Sequence, residues 1–61
     1  MNMPMSQNEK IQQAKEEFGP EIVSVVVEMV AMADPDGAYS IFEDNSMWDH
    51  AEIVSMIYFE D

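Results

Sequence analysis

The sequence predicts an all-α fold, a small three-helix domain whose central helix, residues 21–33, is apolar on most of its sides. Ser6 and Glu9 have the spacing of a capping box, in which each side chain satisfies a backbone N–H at the start of a helix. The central helix is indicated by an apolar run whose few polar residues recur at spacings of three and four. Ser46 and Asp49 repeat the capping spacing before a further apolar stripe. Three such signatures in 61 residues favour a helical domain.

The first helix is predicted to begin at this capping box and to end before Gly19-Pro20. Within it, Ile11, Ala14 and Phe18 are spaced i, i+3 and i+7, which gives a narrow apolar stripe on an otherwise polar helix. Glycine suits the position just beyond a helix, and proline cannot continue one.

The central helix is predicted to start at Pro20, because proline is well tolerated at the first position of a helix. Its thin polar strip consists of Glu21, Ser24, Glu28 and Ala31. A helix that is apolar on its other sides normally packs against several neighbours. Because its valines have strong strand propensity, an α+β fold with residues 22–30 and 53–59 as strands is the alternative.

The segment after the central helix is less regular. Residues 33–37, ADPDG, are typical of a turn, because aspartate bonds nearby backbone, proline presets φ and glycine accepts positive φ. Residues 38–45 are compatible with a helical turn or a short strand. Asn45 or Ser46 is expected to cap the last helix. The apolar stripe of that helix consists of Met47, Ala51, Val54 and Tyr58.

The length predicts a single small acidic domain over residues 1–61, with residues 1–5 expected to be disordered. The opening residues lack the basic and apolar regions of a secretory signal, and the apolar run at 22–33 is too short for a membrane span. The chain has no cysteine, which fits a reducing compartment. We therefore expect a cytoplasmic protein.

A homodimer is expected because so small a domain has a marginal core. A chain of about 60 residues buries only roughly 60% of the surface that its unfolded form exposes. The central helix needs more apolar cover than two short helices readily provide, and a second copy could supply it. The residues expected at this interface are Val23, Val26, Val27, Val30, Met47 and Trp48.

The charge is large and unevenly distributed. The chain carries a formal net charge of -11, and its two basic residues, Lys10 and Lys15, both lie in the first quarter. From Glu16 to Asp61 there are 12 carboxylates and no lysine or arginine. Such a surface repels nucleic acid and anionic membranes and attracts basic proteins. Direct binding to a phosphate backbone, which depends on basic side chains, is strongly disfavoured.

Two short motifs resemble sites with known chemistry without completing them. Residues 34–43 place acidic side chains at several positions of a calcium loop, but Met32 stands where the first carboxylate is needed and Pro35 interrupts the loop. A divalent-cation loop is therefore a minor alternative. His50 and Glu52 have the H-x-E spacing of zinc deaminases, whose cysteine ligands are missing. No catalytic residue, cofactor or resident metal is expected, and we do not expect an enzyme.

The excess of carboxylates predicts an inhibitor that occupies the nucleic-acid site of a basic protein by imitating the charge of DNA or RNA. A net charge of magnitude about 2 to 8 suffices for the solubility of a small domain, so this charge calls for a further use. The expected partner is a basic, nucleic-acid-binding host protein. The carboxylates expected to contact it are Asp34, Asp36, Glu43, Asp44, Asp49 and Glu52.

In size and charge, the chain resembles small acidic proteins encoded by phages and mobile elements. Some of those proteins imitate nucleic-acid charge and block restriction, repair, CRISPR or transcription proteins. The resemblance concerns general character only and carries no residue assignment. The competing hypothesis is a helical adaptor or antitoxin-like protein that binds its partner through an apolar methionine and aromatic surface, with acidity serving solubility.

Overall fold

The protein is all-α in a computed structural model that describes residues 5–59. Its elements are helix α1 (Gln7–Phe18), helix α2 (Pro20–Asp44), helix α3 (Trp48–Val54) and a π-helical turn (Ser55–Phe59). The described part of the chain contains no strand. The predicted three-helix class is confirmed, and the alternative with strands at 22–30 and 53–59 is wrong because both segments are helical.

Helix α1 begins and ends as its sequence predicts. The Ser6 hydroxyl accepts a hydrogen bond from the Glu9 backbone N–H at 3.2 Å, and a Glu9 carboxylate oxygen accepts one from the Ser6 N–H at 2.9 Å. Gly19 follows the helix with φ at 99°, a conformation that favours glycine, and its N–H donates to the Lys15 carbonyl. The disorder expected at residues 1–5 lies outside the described residues, except for the exposed Met5.

Helix α2 runs farther than the sequence predicts, and it is interrupted at one residue. Asp34 has φ 64° and ψ 168°, whereas residues on both sides of it are helical. Its carboxylate oxygen Oδ1 accepts a hydrogen bond from the Gly37 N–H at 2.7 Å, which is how an N-terminal cap starts a new helical segment. Pro35 then takes the first position of that segment. The turn predicted over 33–37 is therefore replaced by a one-residue break, and residues 35–44 are helical.

The carboxylate of Asp34 is expected to matter for stability as a hydrogen-bond acceptor rather than as a charge. Asp34→Ala removes the capping hydrogen bond to the Gly37 N–H, while the new residue keeps the unfavourable positive φ of this position. We therefore expect a loss of about 1–2 kcal/mol in the free energy of unfolding. Asp34→Asn keeps an acceptor oxygen and should change stability little. Urea unfolding followed by circular dichroism measures both variants. Equal losses in the two variants would contradict the capping role.

The connection between α2 and α3 differs from the predicted cap. Asn45 closes α2, since its side-chain amide donates to the Ile41 carbonyl at 2.8 Å. Ser46 has φ 58°, and Met47 occupies the N-cap position of α3 with no side-chain hydrogen bond. The prediction that Asn45 or Ser46 caps the last helix is wrong, because the first is engaged with α2 and the second lies in a left-handed turn.

The core is formed where α2 folds back against α3 and where α1 packs against α2 and the π-helical turn. Its fully or almost fully buried side chains are Ala14, Val23, Val26, Ala38, Phe42, Ala51, Ile53, Val54 and Ile57. The predicted polar strip of α2 is exposed along its whole length. Residues Val25 and Met32 widen this exposed side, so the central helix is covered on one side and open to solvent on the other.

None of the helices within residues 5–59 has both the length and the apolarity that crossing a membrane requires.

Candidate acidic interaction surface

All six carboxylates predicted to contact a partner are exposed, and they lie on the part of the chain that begins at the break in α2. We call these residues the acidic surface: Asp34, Asp36, Glu43, Asp44, Asp49 and Glu52. Four of them belong to residues 34–44, and the other two follow the connection to α3.

The first part of the acidic surface follows the outer side of the helical segment 35–44. Asp36 and Glu43 are seven residues apart, so they lie two turns from each other on nearly the same side of the helix. The inner side of this segment carries Ala38 and Phe42, both of which are buried. Burial of these two residues therefore fixes the outward direction of Asp36 and Glu43, and folding itself presents the carboxylates to solvent.

The carboxylates at the end of α2 oppose the helix dipole. Glu43 and Asp44 lie in its last turn, which contains no basic residue. The C-terminus of a helix carries a partial negative charge, so a carboxylate there destabilises the helix by about 0.3–1 kcal/mol. Solubility alone could have been served by carboxylates elsewhere on the surface. This placement therefore reduces the stability of α2 without an evident gain elsewhere in the fold.

The second part of the acidic surface lies on α3 together with an exposed tryptophan. Trp48 is the first residue of α3 and is 62% exposed, more than any other aromatic residue in the described range. Glu52 is four residues farther along the helix and exposed, so its side chain is a neighbour of the indole on the helix surface. Asp49 is also exposed. The outer side of α3 thus combines an aromatic ring with negative charge.

The other aromatic residues are engaged in the fold. The ring of Phe42 lies 5.1 Å from that of His50, and the ring of Tyr39 lies 5.8 Å from that of Phe59. Burial raises the pKa of the Tyr58 phenol, because a buried environment disfavours the phenolate. His50, which stands in the H-x-E motif, thus packs against a core aromatic ring.

The residues predicted for a dimer interface differ in how far the structure exposes them. Val23 and Val26 are completely buried within one chain, so they have no surface to offer a second copy. Val27, Val30 and Met47 are half-buried, and Trp48 is exposed. The prediction is corrected for the two buried valines, because α1 and α3 supply more cover for the central helix than its sequence suggests.

Two exposed apolar side chains, Val25 and Met32, lie beside the polar strip of α2 and were not among the residues predicted for the dimer interface. Met32 is 80% exposed and Val25 is 45% exposed. They are seven residues apart and therefore share one side of the helix. On a helical wheel, Val25 and Met32 lie next to the polar residues Glu21 and Glu28. This proximity to the polar strip is the sequence signal that predicts their exposure.

Residues 34–43 do not form a calcium loop. A calcium loop curves so that successive side chains and a carbonyl surround one ion. Residues 35–44 are instead helical, and the Asp34 carboxylate already accepts the Gly37 N–H. Within the described residues, no group of three or more histidine, cysteine, aspartate or glutamate side chains is arranged to hold a metal ion.

No protein-family model matches the chain, and no curated protein or solved structure is significantly similar to it. The surface of the chain itself therefore carries the functional inference.

Proposed function

We propose that the protein is a binding protein, not an enzyme, that inhibits a basic nucleic-acid-binding protein in the cytoplasm by imitating the charge of a nucleic acid. The observation that carries the proposal is the position of Glu43 and Asp44 at the negative end of α2, with no basic residue in that turn. Charge that destabilises its own helix is explained by a role outside the fold. A basic partner would relieve this unfavourable interaction on binding.

The number of carboxylates along residues 34–44 is comparable with the number of phosphates on one nucleic-acid strand of the same length, although they lie as two pairs, at 34 and 36 and at 43 and 44. The ten helical residues 35–44 rise about 15 Å, and together with Asp34 directly before them this stretch contains four carboxylates. One strand of DNA presents a phosphate about every 3.4 Å along the duplex axis, which is also about four charges over the same length. The segment therefore approximates the linear charge of a single strand, at about half the charge density of a duplex.

Competition tests this proposal directly. The protein is immobilised and used to capture a partner from a lysate of the cells in which it acts, and DNA or RNA is then added at several salt concentrations. We expect nucleic acid to displace the partner and the affinity to fall steeply with salt, because exposed charge pairs are screened. The proposal fails if the partner has no basic groove. It also fails if the partner binds equally well after Asp34, Asp36, Glu43 and Asp44 are changed to Asn or Gln.

An adaptor or antitoxin-like role is the second candidate, and the exposure of Trp48 and Met32 favours it. Exposed tryptophan and methionine are typical of interaction surfaces that bury apolar area. A complex formed in this way would tolerate salt. Reversing charges on the acidic surface would have little effect on it, whereas Trp48→Ala would abolish it.

The homodimer stays a prediction, and its surface is now restricted to exposed side chains. Val25 and Met32 are the apolar residues of α2 that a second copy could cover. Light scattering at micromolar concentration should give twice the 7.0 kDa mass of one chain, and Met32→Glu should return it to the mass of one chain. A mass of 7.0 kDa for the unmodified protein contradicts dimer formation.

A further inference from the structure

The tryptophan at the start of α3 has an exposure that its fold does not require. The buried residues of α3 are Ala51, Ile53 and Val54, and the indole of Trp48 lies outside this core with 62% of its surface exposed. Exposure of a large aromatic ring is unfavourable in water unless a partner covers it. The identity of that partner is limited by the charge around the ring.

The charge near Trp48 selects against apolar and acidic partners. Asp49 follows the indole in the chain, Glu52 lies one turn farther on, and both are exposed. No lysine or arginine occurs after Lys15, so no cation supplied by this part of the sequence can neutralise them. A purely apolar partner would have to bury or crowd unpaired carboxylates, which is costly. A second copy would bring the same negative charges to the interface.

We propose that Trp48 is the anchor of the partner-binding surface and that it recognises an arginine side chain, whose guanidinium stacks on the indole while Glu52 and Asp49 accept its hydrogen bonds. The inference rests on the proposed function and specifies the chemistry of the partner. A guanidinium is planar, weakly hydrated and able to stack on an aromatic face, and tryptophan is the best such face among the side chains. Carboxylates beside the ring suit its fork of donors. Lysine carries the same charge but lacks the planar group and the paired N–H donors of a guanidinium. The site should therefore bind arginine more tightly than lysine.

Trp48 also provides the measurement, because it is the one tryptophan in the chain. The full chain is titrated with octa-arginine and with octalysine at equal, low salt, and binding is followed by calorimetry and by tryptophan emission. We expect octa-arginine to bind roughly three- to tenfold more tightly than octalysine, with a larger change in emission. Trp48→Leu should remove this preference and leave the affinity for octalysine almost unchanged. Phe59→Leu, which alters another exposed aromatic residue, is the matched control and should keep the preference.

The possible outcomes separate this inference from the proposed function. If both peptides bind equally, or if Trp48→Leu keeps the preference for arginine, the tryptophan anchor is wrong and charge imitation stands. If neither peptide binds, charge imitation is wrong as well. Circular dichroism verifies that the variants are folded. If Trp48→Leu does not fold, the tryptophan emission of the unmodified chain still tests the anchor. Equal changes in emission with octa-arginine and with octalysine would contradict stacking of a guanidinium on the indole.

Discussion

Phe42→Ala is expected to remove a large part of the stability of the domain. Phe42 is 1% exposed, its ring lies against His50, and its carbonyl accepts the Met47 N–H at 2.8 Å in the connection to α3. Removal of a buried phenylalanine side chain costs about 3–5 kcal/mol. A 61-residue domain has a total stability of roughly 3–9 kcal/mol, on the scale of about 0.05–0.15 kcal/mol per residue. The loss therefore ranges from about a third of the free energy of unfolding to all of it.

The adjacent residue provides the control for this substitution. Ile41 lies on the same helical segment but is 39% exposed, so Ile41→Ala should cost less than about 1 kcal/mol beyond the change in helix propensity. Circular dichroism at increasing urea concentration compares the two variants. Equal losses at the two positions would show that residues 35–44 do not pack into the core as described.

Neutralising Glu43 and Asp44 is expected to raise stability and weaken partner binding at the same time. Glu43→Gln with Asp44→Asn removes two charges from the negative end of α2, which should stabilise the fold by about 1 kcal/mol in total. For a domain of this size, each 1 kcal/mol raises the melting temperature by about 4–8 °C. If the charges serve a basic partner, the same variant should bind that partner at least roughly tenfold more weakly, as expected for lost interfacial charge pairs.

Glu16→Gln with Glu17→Gln is the matched control. These two exposed carboxylates lie in the last turn of α1, so their neutralisation changes the net charge by the same amount, and it relieves the helix dipole to a smaller extent because Lys15 already lies in that turn. They lie outside the acidic surface. We expect this control to gain stability and to retain partner binding. Similar weakening by both pairs would indicate that overall charge, rather than the acidic surface, governs the interaction.

The competing interpretations predict different effects of substitutions at Trp48 and at the carboxylates. An adaptor would depend on the indole and tolerate charge neutralisation, whereas a pure charge mimic would depend on the carboxylates and tolerate Trp48→Leu. The arginine-binding proposal requires both features, since the ring supplies stacking, Asp49 and Glu52 supply hydrogen bonds, and Glu43 and Asp44 contribute to the attraction of a basic partner. Variants at Trp48 and at Glu43 with Asp44, measured against one partner, therefore separate all three.

The sequence alone determined the features that depend on short-range chemistry. The capping box of Ser6 and Glu9 and the Gly19-Pro20 boundary follow from which residues satisfy or break a helix within a few positions. The exposed strip of α2 follows from helical periodicity, and the lopsided charge is a property of composition. Local spacing was therefore sufficient for the fold class and for the exposure of the predicted carboxylates.

Only the tertiary structure decided which apolar residues are covered and where the second half of the chain is helical. Residues 33–45 carry turn and strand signals, yet burial of Ala38 and Phe42 in the core favours a helix that the local sequence leaves undecided. The same packing buries Val23 and Val26 in the core of a single chain and leaves Trp48 exposed to solvent. Periodicity shows that a side of a helix is apolar. It does not show how much of that side a neighbouring helix covers, because coverage depends on contacts between residues far apart in the chain.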